Sequence, residues 1–475
     1  MSNHYPVVIQ GGMGVAVSGW ELARAVSSEG HLGVVSGTAL DAVAARRLQR
    51  GDPGGHMRRA LEAFPIPGVA GRLIDRYYVE GGTPEGVRLK TKPMPTLKLS
   101  RHLRELLMAS NFAEVYLAKE GHGNAVGINY LEKLQIPTLP SLYGAMLGGV
   151  DYVLMGAGIP RAIPGILDRL AEGRDVELRI DVKGGEDRFN RFDPAEFAEG
   201  ALPPVKRPAF LAIVSSHILA TMFAKKVDAR VDGFIIEAPT AGGHNAPPRG
   251  KLQLTGEGEP LYGARDVPDL EVINELGLPF WLAGSWAEPE RLKEALELGA
   301  AGIQVGTAFA YCEESGFDDK IKKEVLAMST AGQARVFTDP VASPTGFPFK
   351  VVQMEDTIST DEMYAERPRT CDLGYLRDAY EREDGSVGWR CPSEPVDDYL
   401  EKGGAPEETV GRKCLCNALM TNVGLGQTQR EGYVEPPLVT SGDDVAHVAR
   451  FLRPGADTYR AADVLDYLLP ERTGI

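Results

Sequence analysis

The sequence has little that would tie it to nucleic acid, a bilayer or an oxidising compartment. Its 51 Lys and Arg are outnumbered by 66 Asp and Glu, for a formal net charge of −15. A nucleic-acid groove or an anionic membrane surface wants clustered cations, so neither is expected as a partner. Long hydrophobic runs are also missing. The longest mostly apolar stretch, FLAIVSSHILATMFA (Phe210–Ala224), is broken by Ser and His and is too short to span a bilayer. The opening segment, MSNHYPVVIQGGMG, has no basic region followed by a long apolar run, so no signal peptide is expected and a soluble cytoplasmic protein is the default. Cysteine is scarce and odd in number, five in 475 residues, which does not suit a secreted disulfide scaffold. A complete dinucleotide fingerprint is absent too. GGMGVAVSG has Gly12 and Gly14 but Val17 where the third glycine belongs, and GAGIPRAIP fails likewise.

What is present is ordinary globular composition, 43% hydrophobic and 25% charged, in a chain long enough for one large core plus an extra lobe or for two to three domains. Eight short, nearly continuous apolar runs read as strands: Pro6–Gly11, Leu32–Gly37, Asn124–Leu131, Tyr152–Gly158, Phe210–Ser216, Gly233–Pro239, Pro279–Ser285 and Gly302–Phe309. Each is followed by a helical pattern; SGWELARAVSSEG, with Ser18 as its cap, and EPERLKEALELGA, ending at Gly299, are examples. Strands apolar on both sides are those of a parallel sheet covered on both faces, and an eightfold βα repeat predicts an α/β TIM barrel. A doubly wound sheet is the runner-up.

The barrel is expected over residues 1–350, swollen by an insertion at about 38–123 and by a charged, exposed stretch near KGGEDRFNRFD. After Phe349 the chain turns polar and turn-rich. Residues 351–475 are expected to form an appended lobe with a terminal helix at AADVLDYLL.

In such a barrel, binding groups gather where strands end. Five strand ends carry glycine or small polar residues: QGGMG, GIN, APTAGGH, AGS and QVGTAF. Any one of them is more simply a turn, since turns need positive φ. Together they point to a ligand. AGS and GTAF end the seventh and eighth strands, where backbone N–H groups make a phosphate cradle, so a phosphate-bearing cofactor is expected. His244 follows Gly242 and Gly243 directly and is the candidate for chemistry; the plain alternative is a loop histidine capping a turn. His217, just past the fifth strand, is a second and weaker candidate.

The segments VVIQGGMG…ELARAVSSEGHLGVVSG, GIN, EAPTAGGH and LAGSWAEPERLKEALELGAAGIQVGTAFAYCEES resemble the nitronate monooxygenase family, formerly called 2-nitropropane dioxygenases. These are FMN-dependent TIM barrels related to the FMN-type enoyl-acyl-carrier-protein reductases, and the resemblance covers about Pro6 to Lys350. It implies that Gly12 and Met13 touch the flavin ring through backbone, and that Asn129 bonds the ring edge or ribityl chain. Gly242 and Gly243 would let backbone approach the cofactor. Gly284, Ser285, Gly306 and Thr307 would hold the phosphate, with Gln304 nearby, and His244 would be the catalytic base. The implied reaction is oxidation of a nitronate or nitroalkane-like small molecule with O2. An NAD(P)H-dependent reductase of enoyl thioesters or quinones is the alternative on the same fold. AGSW departs from the family's AGG plus aliphatic residue, and the proline-rich stretch after His244 is unusual, so the substrate pocket is expected to be reshaped.

Cys371, Cys391, Cys414 and Cys416 lie in the polar C-terminal segment, where four thiolates suit one zinc or an iron–sulfur cluster. Buried reduced thiols are the alternative, and C-x-x-C is absent. Cys312 reads as packing. A third possibility, from another class, is a metal-stapled scaffold whose barrel does no catalysis. An oligomer is compatible with all three.

Overall fold

The computed structural model describes residues 5–198, 202–226 and 229–470. Eight parallel strands close into a barrel: β1 (Val8–Gln10), β2 (Leu32–Ser36), β3 (Val126–Leu131), β4 (Tyr152–Gly156), β5 (Ala209–Val214), β6 (Gly233–Glu237), β7 (Phe280–Ala283) and β8 (Gly302–Val305). Each pairs with its neighbours in chain order, and β1 returns to β8 through Val8↔Ile303 and Gln10↔Val305. Seven of the eight fall within the runs read from the sequence, β5 begins one residue before its run, at Ala209, and the expected TIM barrel is the fold. The strands are apolar throughout because both faces are covered. Ile9, Val34, Leu154, Leu211, Ile235 and Trp281 fill the barrel interior, while Val8, Val35, Val153, Phe210, Phe234 and Leu282 pack outward with the surrounding helices. Gln10 clips the first two strands together: its Nε2 donates to Val34 O and its Oε1 accepts from Val34 N.

Several local expectations need correction. Ser18 does not cap the first helix, Trp20–Ser28, whose N-cap is Gly19. The Ser18 hydroxyl instead accepts from Met13 N at 2.8 Å and so shapes the loop after β1. The charged stretch near residue 187 is not a plain exposed loop. Val176–Ile180 and Arg188–Phe192 form an antiparallel hairpin, with Val176, Ile180 and Phe192 buried on one face and charges on the other. Period-2 alternation hides inside a charged composition there.

The insertion between β2 and β3 is helical, with Leu40–Gln49, His56–Glu62, Val69–Tyr77 and the long Arg101–Lys119, whose Ser100 cap accepts from Leu103 N. The boundary expected at residue 350 falls inside an antiparallel ribbon, Val336–Asp339 against Phe349–Val352. Beyond it the chain packs back onto the barrel. Val352, Val439, Val448 and Leu465 belong to the same core cluster as the barrel's outer face. The terminal helix is Ala461–Leu468, and residues 471–475 lie outside the described residues.

Buried polar bonds tie this C-terminal part to the insertion. Arg46 pairs with Asp372 at 3.3 Å, and Tyr375 Oη donates to Asp41, which Lys92 of the insertion also pairs with at 3.0 Å. Gln427 makes a two-way bond with the backbone of Leu89. No helix among the described residues is long and apolar enough to cross a membrane.

Candidate active site

One large cavity opens at the C-terminal ends of the strands, the face where barrels of this kind carry their sites. The structure brings all eleven barrel residues singled out in the sequence to its wall: Gly12, Met13, Asn129, Gly242, Gly243, His244, Gly284, Ser285, Gln304, Gly306 and Thr307. Residues up to 295 positions apart in the chain thus meet because parallel strands all end on one side.

The glycines divide into distinct roles. A Cβ on Gly242 would stand 2.7 Å from Gly442 N, so this glycine is required by protein packing. Gly243 sits at φ +80° with open space where a Cβ would go. A Cβ on Gly12 would come within 2.4 Å of Asn129 Cβ, which keeps the first and third loops in close contact. Gly284 takes φ +96°, and Ser285 follows at φ +57°, a left-handed conformation that a serine adopts at some cost.

His244 is held firmly. Its Nε2 lies 2.6 Å from Ser343 Oγ, and that hydroxyl lies 2.8 Å from Thr345 Oγ1. The Phe349 ring packs edge-on at 4.8 Å. The backbone is pinned as well, since Asn245 N donates to Pro348 O and Lys350 N donates to Gly243 O. Burial pushes the imidazole pKa down to about 4, so it is neutral at ordinary pH. Nδ1 has no protein partner among the described residues.

Two further groups stand in this wall without partners. Among the described residues, Gln304 Oε1 is buried and unbonded, and Asn129 lines the cavity with no bond to its amide. Glu237, the last residue of β6, was not singled out in the sequence. It lines the cavity and has no ion pair among the described residues, and burial pushes its pKa up to about 7.

The sequence reading also missed a whole side of the cavity. Thr440, Ser441, Gly442 and Asp444 line it from the C-terminal part. Thr440 Oγ1 accepts from Gly243 N at 3.0 Å, Thr307 Oγ1 accepts from Gly442 N at 2.9 Å, and Asp443 N donates to Thr240 O. The loop after β8 is therefore bonded to residues some 135 positions later. The helix expected after β8 is a single turn, Thr307–Ala310. The only local signal was the small polar cluster TSGDD, which reads as turn chemistry anywhere.

Other candidates do not join this site. His217 opens the helix His217–Lys226, where its Nδ1 accepts from Asp269 N. Cys312 is buried and donates to Phe309 O, as packing requires. Cys371, Cys391, Cys414 and Cys416 do line one small cavity together, yet none forms a disulfide. Among the described residues no three His, Cys, Asp or Glu side chains are arranged to hold a metal ion. The zinc or iron–sulfur expectation is therefore not supported. Burial raises the thiol pKa at each of the four, Cys371 to about 12.

Comparison with known proteins gives partial matches. Residues 197–342 match the family model described as nitronate monooxygenase, which covers β5 to β8 and His244. A probable nitronate monooxygenase of Staphylococcus haemolyticus is 32% identical over 99 residues, 21% of this chain and 26% of that protein. A Rhodococcus jostii protein named (3aS,4S,5R,7aS)-5-hydroxy-7a-methyl-1-oxo-octahydro-1H-indene-4-carboxyl-CoA dehydrogenase is 29% identical over 160 residues, 32% of this chain and 41% of that one. The matches thus span well under half of these relatives' own lengths. FabK from Thermotoga maritima superposes over 99% of this chain and 93% of its own, with a TM-score of 0.48 at 16% identity. The match to the nitronate monooxygenase family model thus falls on the half of the closed barrel that bears His244.

Proposed function

We propose that the chain is an FMN-dependent oxidoreductase that oxidises a nitronate or nitroalkane-like substrate with O2, using His244 as general base. The observation that carries this reading is His244: a buried, neutral imidazole fixed by one nitrogen beside a cavity with unpartnered polar atoms. A neutral nitroalkane must lose its α-proton before it can be oxidised, and an uncharged imidazole is a base suited to that step.

The residues present fit a flavin nucleotide. The buried Oε1 of Gln304 and the amide of Asn129 offer an acceptor and a donor to a ligand with a polar ring edge, and Gly243 leaves open space beside them. Gly12, Met13 and Asn129 would border the ring, Gly243 its side chain, and Gly284, Ser285, Gly306 and Thr307 the phosphate. When bound, FMN supplies electron acceptance and the chemistry with O2.

The chain's own residues do the rest. With Nε2–H donating to Ser343 Oγ, and Ser343 O–H in turn to Thr345 Oγ1, the lone pair is left on Nδ1, which takes the α-proton. Phe349 limits rotation of the ring.

The Rhodococcus relative's name favours a second reading, in which the substrate is a thioester and His244 orients or protonates it during reduction by NAD(P)H. Anaerobic mixing separates the two. Bleaching of the flavin by a nitronate and not by NADH or NADPH supports the first; rapid bleaching by a nicotinamide supports the second. His244→Ala should lower turnover of a neutral nitroalkane by about 10²–10⁴-fold while sparing a preformed nitronate, which has already lost its proton. Equal loss on both would refute the base assignment.

A further inference from the structure

Glu237 walls two cavities at once. One is the main cavity, shared with His244. The other, about 30 Å³, lies under the loop that follows His244 and is also lined by Ser215, Asn245, Arg249, Tyr262 and Asp266. Asn245 is only 1% exposed, its Nδ2 donates to Ala241 O, and its Oδ1 is buried with no partner. A water needs roughly 10–15 Å³ of such space and two to four polar partners, and the side cavity meets both conditions. Arg249 is exposed, which brings the side cavity within one side chain of bulk solvent.

We propose that Glu237 is the proton-exchange residue of this site, passing the reaction's proton between the main cavity and a water held against Asn245 in the side cavity. On the way out, one carboxyl oxygen takes a proton from the main cavity while the other releases its proton to that water, which passes a proton to solvent. No electrons move, and Glu237 ends as it began. In the reductive direction the same steps run inward. The inference rests on the proposed function only in requiring a reaction that moves one proton.

The need is physical. His244 is buried where a lasting imidazolium is disfavoured, so a proton taken there has to leave. Of the other titratable groups facing Glu237, Asp444 in the main cavity is paired with Arg450 at 2.8 Å. On the other side stand Arg249, Tyr262, whose hydroxyl donates to Ala246 O, and Asp266, whose carboxylate accepts from Arg249 N. None of them spans both cavities.

Infrared spectra of the full-length protein across neutral pH, in H2O and D2O, test the water and the carboxyl directly. A deuterium-sensitive carboxylic acid band should vanish in Glu237→Gln and shift in Ser215→Val, which fills the side cavity without touching His244. Absence of a band that Glu237→Gln removes, or a band indifferent to Ser215→Val, overturns the proposal. In flavin-loaded protein, Glu237→Gln should lower kcat about tenfold to a hundredfold with KM nearly unchanged and abolish a pH limb near neutrality. A flavin-loaded Glu237→Gln variant with the parent's kcat and pH profile also overturns it. Failure to bind flavin at all would count against the proposed function instead, and the infrared result would stand apart from it.

Discussion

His244 and Glu237 share a cavity wall, and burial acts on them in opposite senses. The imidazole is held near 4, below its usual 6.5, so the unfolded chain binds a proton that the folded one refuses. Stability is therefore lost as pH falls from 6.5 towards 4. Glu237, raised to about 7, stays protonated in the fold, so its cost appears as pH rises from the ordinary carboxylate range through 7. Denaturant melts check both signs. His244→Gln should stabilise the protein by about 2 kcal/mol at pH 5 and by little at pH 8, and Glu237→Gln should do so by on the order of 2 kcal/mol at pH 8 and by little at pH 4. Gains independent of pH would contradict the assignment. The place of His244 in the cavity wall was legible because it follows two glycines at a strand end, where barrel cavities open. Glu237 was not, since a carboxylate ending a strand looks the same whether its partner is solvent, an arginine or nothing.

At the level of elements, the eight strands were legible because burial on both faces leaves an apolar run with no competing pattern. The hairpin at 176–192 was not, because its buried face is spread over alternate residues among charges. Contacts between distant elements leave no local trace at all. Arg46 in the helix Leu40–Gln49 pairs with Asp372 more than 300 residues away, and both side chains are about 6% exposed. Burial lowers the Arg46 pKa, with Asp372 acting against it. Removing one partner leaves a buried charge alone, so Asp372→Ala should destabilise by about 3–5 kcal/mol, while the surface pair Arg174–Glu172 should cost under about 1 kcal/mol when broken. Thermal melts of the two variants compare them directly; similar losses would show that the buried pair is not what joins insertion and C-terminal part.

For the molecule as a whole, the change of composition after Phe349 was legible but its meaning was not. Polar, turn-rich sequence with four cysteines suggested an appended, metal-stapled lobe. It instead supplies core residues and one side of the cavity, with Thr440 and Gly442 bonded to the loops after β6 and β8. Val439 and Leu438 are fully buried there. The account's central claim is that this composite cavity, made by barrel and C-terminal part together, holds FMN. The absorption spectrum of the purified full-length protein, taken before and after addition of FMN and again after denaturation, tests it most directly. The account predicts the two flavin bands, perturbed while bound, with FMN released intact on unfolding. A colourless protein whose added FMN keeps the spectrum of the free cofactor would contradict it.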